Sequence, residues 1–154
     1  MKPIAVSTTI DRPREEVHDL LDDISRHEGF TDHFLVDWRL TRDDPRGVGA
    51  GVRVKGTVGP HRETEITVVE STPERIVENG RSGKDLQRRT TGTYTLTPAD
   101  GGGTNVTFTL ELEPAGLGDR LQGPMMRAYL RRQNARAMER LRELMEARTS
   151  TPAG

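Results

Sequence analysis

Gly92-Thr93-Tyr94-Thr95-Leu96-Thr97-Pro98, followed across Asp100-Gly101-Gly102-Gly103 by Val106-Thr107-Phe108-Thr109-Leu110-Glu111-Leu112, is the stretch that decides the fold. Gly92, Tyr94 and Leu96 fall on one face of the first run, and Val106, Phe108, Leu110 and Leu112 on one face of the second. A period of two is that of a half-buried strand, and the glycine cluster between the runs is a hairpin signal. The same alternation extends back through Ile76–Asn79, through Thr64, Ile66 and Val68, and through Val52, Val54, Gly56 and Val58. It begins with Phe34, Val36, Trp38 and Leu40, which the spacing puts on one inward face. Gly59-Pro60, Ser71-Thr72-Pro73-Glu74 and a basic polar loop around Gly80–Asp85 supply the turns. No helical stretch separates these strands, so the sheet is expected to be antiparallel.

Outside this block the pattern changes. Ile4–Ile10 alternates as a further strand, and Asp11 or Arg12 can cap a helix in which Pro13 suits the first turn. Val17, Leu20, Leu21 and Ile24 carry that helix, and Ser25–Asp32, with Gly29, reads as an irregular turn or second short helix. After Pro114 the spacing is helical again, beginning with Leu117 and Leu121. Gly123-Pro124 is read as an interruption from which Pro124 restarts the helix. Met125, Ala128, Tyr129, Ala135, Met138, Leu141 and Met145 then mark its apolar stripe to about Ala147. The expected organisation is one domain over residues 1–148 and a disordered tail over 149–154. A seven-stranded sheet must cover its apolar face, and the long C-terminal helix is the only large apolar surface available to cover it.

Composition narrows the function classes. Ile, Leu, Val and Phe make up 32 of the 154 residues, a lean core. The net charge is only −1, against the strong imbalance expected of a disordered chain. There is no cysteine, hence no disulfide, thiol nucleophile or thiolate metal site. No apolar run approaches a transmembrane span and the N-terminus lacks a signal-peptide core, so a cytoplasmic protein is expected. Eight arginines between Asp119 and Arg148 read as a solvated helix face. With only six aromatic residues in the whole chain, those arginines lack a stacking platform for nucleic acid.

Gly47-Val48-Gly49-Ala50-Gly51 opens a strand rather than a helix, so it is no dinucleotide loop. Ser82 lacks the flanking pattern of a hydrolase elbow. His18, His27, His33 and His61 lack metal-ligand spacing, and His27 and His33, flanking Gly29, are read as exposed. His18 and Asp22, one helical turn apart, are expected to form a surface pair. No metal and no cofactor is expected.

The order of elements resembles the helix-grip fold of the START-like, pollen-allergen-like (SRPBCC) superfamily, and most of all its polyketide cyclase/dehydrase branch. The resemblance spans about residues 3–147. It is carried by Val6-Ser7-Thr8-Thr9-Ile10-Asp11-Arg12-Pro13 with Glu16-Val17, by Gly47–Gly51, and by Val68-Val69-Glu70-Ser71-Thr72-Pro73-Glu74-Arg75. Gly92–Pro98 and Ala137-Met138-Glu139-Arg140-Leu141-Arg142-Glu143-Leu144-Met145-Glu146 complete it. It implies an α+β helix-grip fold, with a seven-stranded curved antiparallel sheet wrapped around a long C-terminal helix and two short helices after the first strand. It further implies a cavity between sheet and helix for a small hydrophobic or amphipathic ligand, such as a lipid, isoprenoid, aromatic or polyketide-like compound.

A scarcity of large aromatic side chains leaves volume for such a cavity. Period two places Trp38, Val54, Thr64, Ile66, Glu78, Arg88, Thr90, Tyr94 and Phe108 on the inward sheet face, and Leu121, Met125, Met126 and Tyr129 stand on the helix side. These are the expected ligand-binding residues. Glu78 and Arg88 either pair across the cavity or lie wet at its mouth. Two alternatives stand beside ligand binding. One is a cyclase, aromatase or dehydratase in the same cavity, with Arg88, Glu78 and Tyr94 as acid–base or orienting groups. The other is a stress- or chaperone-associated partner-binding protein. A homodimer is left open.

Overall fold

The computed structural model describes residues 2–113 and 117–147, with side chains for 2–113 and 123–147. Seven strands form one antiparallel sheet: β1 (Ile4–Ile10), β2 (Leu35–Leu40), β3 (Gly51–Gly56), β4 (Glu63–Thr72), β5 (Arg75–Ser82), β6 (Arg88–Pro98) and β7 (Thr104–Leu112). Their spatial order is β1-β7-β6-β5-β4-β3-β2, a meander from β2 to β7 that ends beside β1. The turn residues thus do what their sequence announces, each hairpin pairing a strand with its successor. Between β1 and β2 lie α1 (Arg14–Leu21), a 3₁₀ turn at Ile24–Arg26 and α2 (Glu28–Thr31). The long helix α3 (Leu117–Ala147) lies against β1 and α2. This is the expected α+β helix-grip architecture.

Local differences from the sequence reading have local causes. Pro13, not Asp11 or Arg12, occupies the N-cap of α1, and no side chain caps it. Asp22 at the end of α1 does not pair directly with His18. Ser71 on β4 joins them, donating to Asp22 at 2.6 Å with its hydroxyl 3.3 Å from His18 Nε2. Strand β5 continues to Ser82, through much of the expected loop. Helix α3 runs on through Pro124 rather than restarting there, forfeiting one backbone hydrogen bond.

Strand β2 departs furthest. Its register against β3 shifts between Val36 and Arg39, and Asp37 sits at φ 56°. This bulge breaks the expected alternation. Phe34 is buried and Leu35 and Trp38 pack on the core, while Leu40 is 44% exposed. The core joins the inner faces of α1 and α2 to β3, β5, β6 and the C-terminal half of α3, where Ala137, Met138, Leu141 and Met145 are buried. Among the described residues no helix is long and apolar enough to cross a membrane. The expected tail at 149–154 lies outside the described residues.

Candidate functional site

Between the sheet and α3 the side chains leave a cavity of about 270 Å³, near the lower end of the roughly 300–1,000 Å³ range of small-molecule sites. Trp38, Thr64 and Ile66 line it from β2 and β4, and Glu78, Arg88, Thr90 and Tyr94 from β5 and β6. Phe108 on β7 and Met126 and Tyr129 on α3 are the other expected residues that line it. Exposed lining residues, Val58 and His61 of the β3–β4 turn and Met126, mark the mouth. The buried ones, His27, Phe30, Glu78, Tyr94, Asn134 and Met138, mark the inner end.

Two expected site residues stand elsewhere. Val54 is fully buried in the core and does not reach the cavity. Met125 is 80% exposed: the helix presents its neighbour Met126 inward instead, because the stripe runs through 126, 130, 134, 137, 138 and 141. Ala128 and Ala135, on that stripe by sequence spacing, are not part of the cavity wall. The Leu121 side chain lies outside the described residues.

Glu78 projects inward because it shares a face with Ile76 and Gly80, both buried. Its ladder partner is Gly92. A Cβ at Gly92 would meet Phe108 at 3.0 Å and Glu78 Oε2 at 3.9 Å, so the missing side chain makes room for both. Glu78 and Arg88 do not meet. Arg88 pairs with Ser82, four residues along β5 from Glu78, roughly 13 Å away on the ladder. The group facing Glu78 is His27, expected from its place beside Gly29 to be exposed. It is only 3% exposed, and its Nε2–H donates to the Leu21 carbonyl at 2.8 Å. A carbonyl only accepts, so this bond fixes the neutral tautomer. Nδ1 is left as an acceptor, 3.5 Å from Glu78 Oε1.

The distance alone suggests an ion pair, but the surroundings argue for two neutral groups. The His27 ring stacks on Phe30 at 5.2 Å and meets Tyr94 edge-on at 5.6 Å. Burial there lowers the His27 pKa to about 4, against smaller raising effects of the Leu21 carbonyl and Asp23. Burial likewise pushes Glu78 up to about 8. Near neutrality the single proton of the pair therefore resides on the Glu78 carboxyl, facing the bare Nδ1. Tyr94 is held in its phenol form by burial and by Glu78. Trp38 turns its Nε1–H to the Leu35 carbonyl at 3.0 Å, so it offers the cavity a ring and no donor. Asn134, buried on α3, carries no sequence signal that singles it out. Among the described residues no three metal-ligating side chains converge.

Such a cavity, closed by a sheet on one side and a C-terminal helix on the other, defines a helix-grip protein with an internal apolar chamber. The chain belongs to the polyketide cyclase / dehydrase and lipid transport family, whose model it matches over residues 1–146. Among solved structures it is similar to TTHA0849 from Thermus thermophilus, with a TM-score of 0.72 at 18% identity over 97% of this chain and 100% of that one. It is also similar to the KanY protein, with a TM-score of 0.76 at 16% identity over 94% and 97% of the two chains. DynU16, a protein of the dynemicin biosynthetic locus, matches with a TM-score of 0.64 at 18% identity, over 95% of this chain and 48% of its own. At these identities the likeness is one of fold. No curated protein sequence matches significantly.

Proposed function

We propose that the protein binds a small, largely apolar molecule in the chamber between its sheet and α3. The observation that carries this reading is the chamber itself, lined mainly by apolar and aromatic side chains with a few polar groups converging at its inner end. A lipid, isoprenoid, aromatic or polyketide-like compound of modest size suits that lining. The family description points the same way. The test is native mass spectrometry of the purified protein, beside titration of an environment-sensitive apolar dye followed through Trp38, the only tryptophan. A co-purified small molecule or saturable dye binding is expected. A protein that carries no ligand and binds no dye contradicts the reading.

One observation favours a second reading, an enzyme of the cyclase or dehydratase kind. A protonated carboxyl held against a neutral imidazole in an apolar chamber is a poised acid–base pair. Glu78, oriented by His27, would give its proton to the β-hydroxyl, which leaves as water, and the resulting carboxylate would take up the α-proton as the carbon–carbon double bond forms. In this reading Glu78→Gln binds a β-hydroxy ketone as wild type does but loses turnover. Equal turnover by wild type and variant contradicts it.

A further inference from the structure

Two polar side chains in the cavity wall, each at least nine-tenths buried, carry an atom with no hydrogen-bond partner among the described residues: Glu78 Oε1 and Asn134 Nδ2. His27 Nδ1, 3.5 Å from that Glu78 oxygen, stands beyond the usual range of a full hydrogen bond. Buried polar groups are nearly always satisfied, and leaving one unpaired costs its full desolvation penalty. Both lie at the inner end of the chamber, on opposite walls. Glu78 belongs to β5 and Asn134 to α3. Glu78 is aimed by its surroundings: His27 faces one oxygen, and the vacant Gly92 Cβ position lies 3.9 Å from the other. His27 in turn is fixed by the Leu21 carbonyl and by the rings of Phe30 and Tyr94.

We propose that this inner end is a neutral hydrogen-bonding subsite, in which Glu78, oriented by His27, and Asn134 hold the hydroxyl or carbonyl of a ligand with an apolar body and exclude the matching carboxylate. The proposal rests on the chamber binding a small molecule at all. Asn134 Nδ2–H donates to the ligand oxygen, and the Glu78 carboxyl in its acid form either donates to that oxygen or accepts from a hydroxyl. The titratable groups facing Glu78 are His27 and Tyr94, both uncharged near neutrality. The cationic residues of the chamber wall are the exposed Arg62 and the half-buried Arg88, and Arg88 stands at the Ser82 end of β5, four residues from Glu78, so among the described residues no lysine or arginine compensates an anion at the inner end. A carboxylate in this position would lose its water and gain no cation.

The test is calorimetric titration of the full chain at pH 6 with three probes of one body: naphthalene, 2-naphthol and 2-naphthoate. The expected result is that 2-naphthol binds roughly tenfold tighter than naphthalene and at least as much tighter than 2-naphthoate. Glu78→Leu and Asn134→Leu each bring the naphthol-to-naphthalene ratio towards one, while Glu78→Gln, neutral and still a donor and acceptor, keeps the discrimination against 2-naphthoate. Should the leucine variants not fold, the wild-type ratios decide alone. Equal affinity for naphthalene and 2-naphthol means that water satisfies both groups, and it overturns the subsite while the chamber reading stands. Affinity for 2-naphthoate equal to that for 2-naphthol overturns it too, as does failure of 2-naphthol to bind. If naphthalene and the apolar dye also fail to bind, the chamber reading falls with it.

Discussion

Glu78 and His27 shift in opposite directions, and the pH dependence of stability follows from counting their protons. In the unfolded chain the ordinary values are 4.5 for the carboxyl and 6.5 for the imidazole; in the fold they become about 8 and about 4. Between pH 4.5 and 6.5 each state holds one proton, on the imidazole when unfolded and on the carboxyl when folded, so the pair leaves stability level. Above 6.5 the unfolded chain releases its proton while the fold retains one to about pH 8, so stability falls as pH rises. Below 4.5 the unfolded chain takes up a second proton before the fold does, and stability falls again. Thermal unfolding should therefore show a wild-type Tm that declines from about pH 6.5 to about pH 8. Glu78→Gln removes that decline and leaves only the His27 effect, a Tm that climbs from about pH 4 to 6.5 and then levels. A wild-type Tm that stays level across the alkaline window contradicts a buried acid at Glu78. Of this pair, Glu78 is legible in sequence, because period two from Ile76 forces it inward. His27 is not, because the neighbouring Gly29 suggests a wet loop. A signal is nonetheless present: Val17, Leu20, Ile24, His27, Phe30 and Phe34 keep a spacing of three or four, and histidine continues the stripe.

At the scale of elements, β2 and α3 show what periodicity alone cannot supply. Phe34, Val36, Trp38 and Leu40 alternate without a flaw, and nothing in composition announces that the strand bulges at Asp37. The bulge turns both Leu35 and Trp38 to the chamber, three residues apart, by placing Asp37 in the left-handed region. Aspartate tolerates that conformation better than branched residues do. Asp37→Val should thus cost about 1–2 kcal/mol in urea unfolding, while Asp37→Gly should hold or gain stability. The Lys55 ammonium 3.7 Å from Asp37 is exposed and contributes little to the comparison. A valine variant as stable as wild type would mean that the bulge relaxes. On α3 the stripe inferred from spacing is one residue out of phase at its start, because adjacent methionines are interchangeable to a periodicity argument. Exposed Met125→Ala should change stability by no more than about 0.5 kcal/mol. Met138→Ala, which empties a buried position, should cost about 2–5 kcal/mol. Similar costs for the two would contradict the phase of the helix.

For the whole molecule, strand number and order are legible because each turn carries its own glycine, proline or Asp-Gly cluster, and consecutive antiparallel strands leave few topologies. The chamber is less so. Its volume depends on how far α3 stands off the sheet, which no local pattern encodes, and Asn134 on its wall reads as one more polar helix residue. Whether that volume is usable space is a question for paired substitutions. Ala137 is buried on α3 and borders the chamber; Ala50 is buried just before β3 and does not. Both are shielded from solvent, so exposure cannot distinguish them, but their neighbours can. Ala50→Leu forces extra carbons into a filled core and should cost about 1–3 kcal/mol through strained rotamers and backbone shifts. Ala137→Leu places the same carbons where the wall is unfilled, gaining contact with the apolar lining across a smaller void, so stability should hold or rise. The added side chain also occupies ligand space, and naphthalene affinity should fall several-fold for Ala137→Leu while Ala50→Leu, where folded, binds as wild type does. Denaturant unfolding and calorimetry on the two variants read both effects. Equal destabilisation at both positions, with naphthalene binding untouched, would mean that sheet and helix close directly on one another at Ala137 and that a ligand is held nearer the mouth, towards Met126 and Val58.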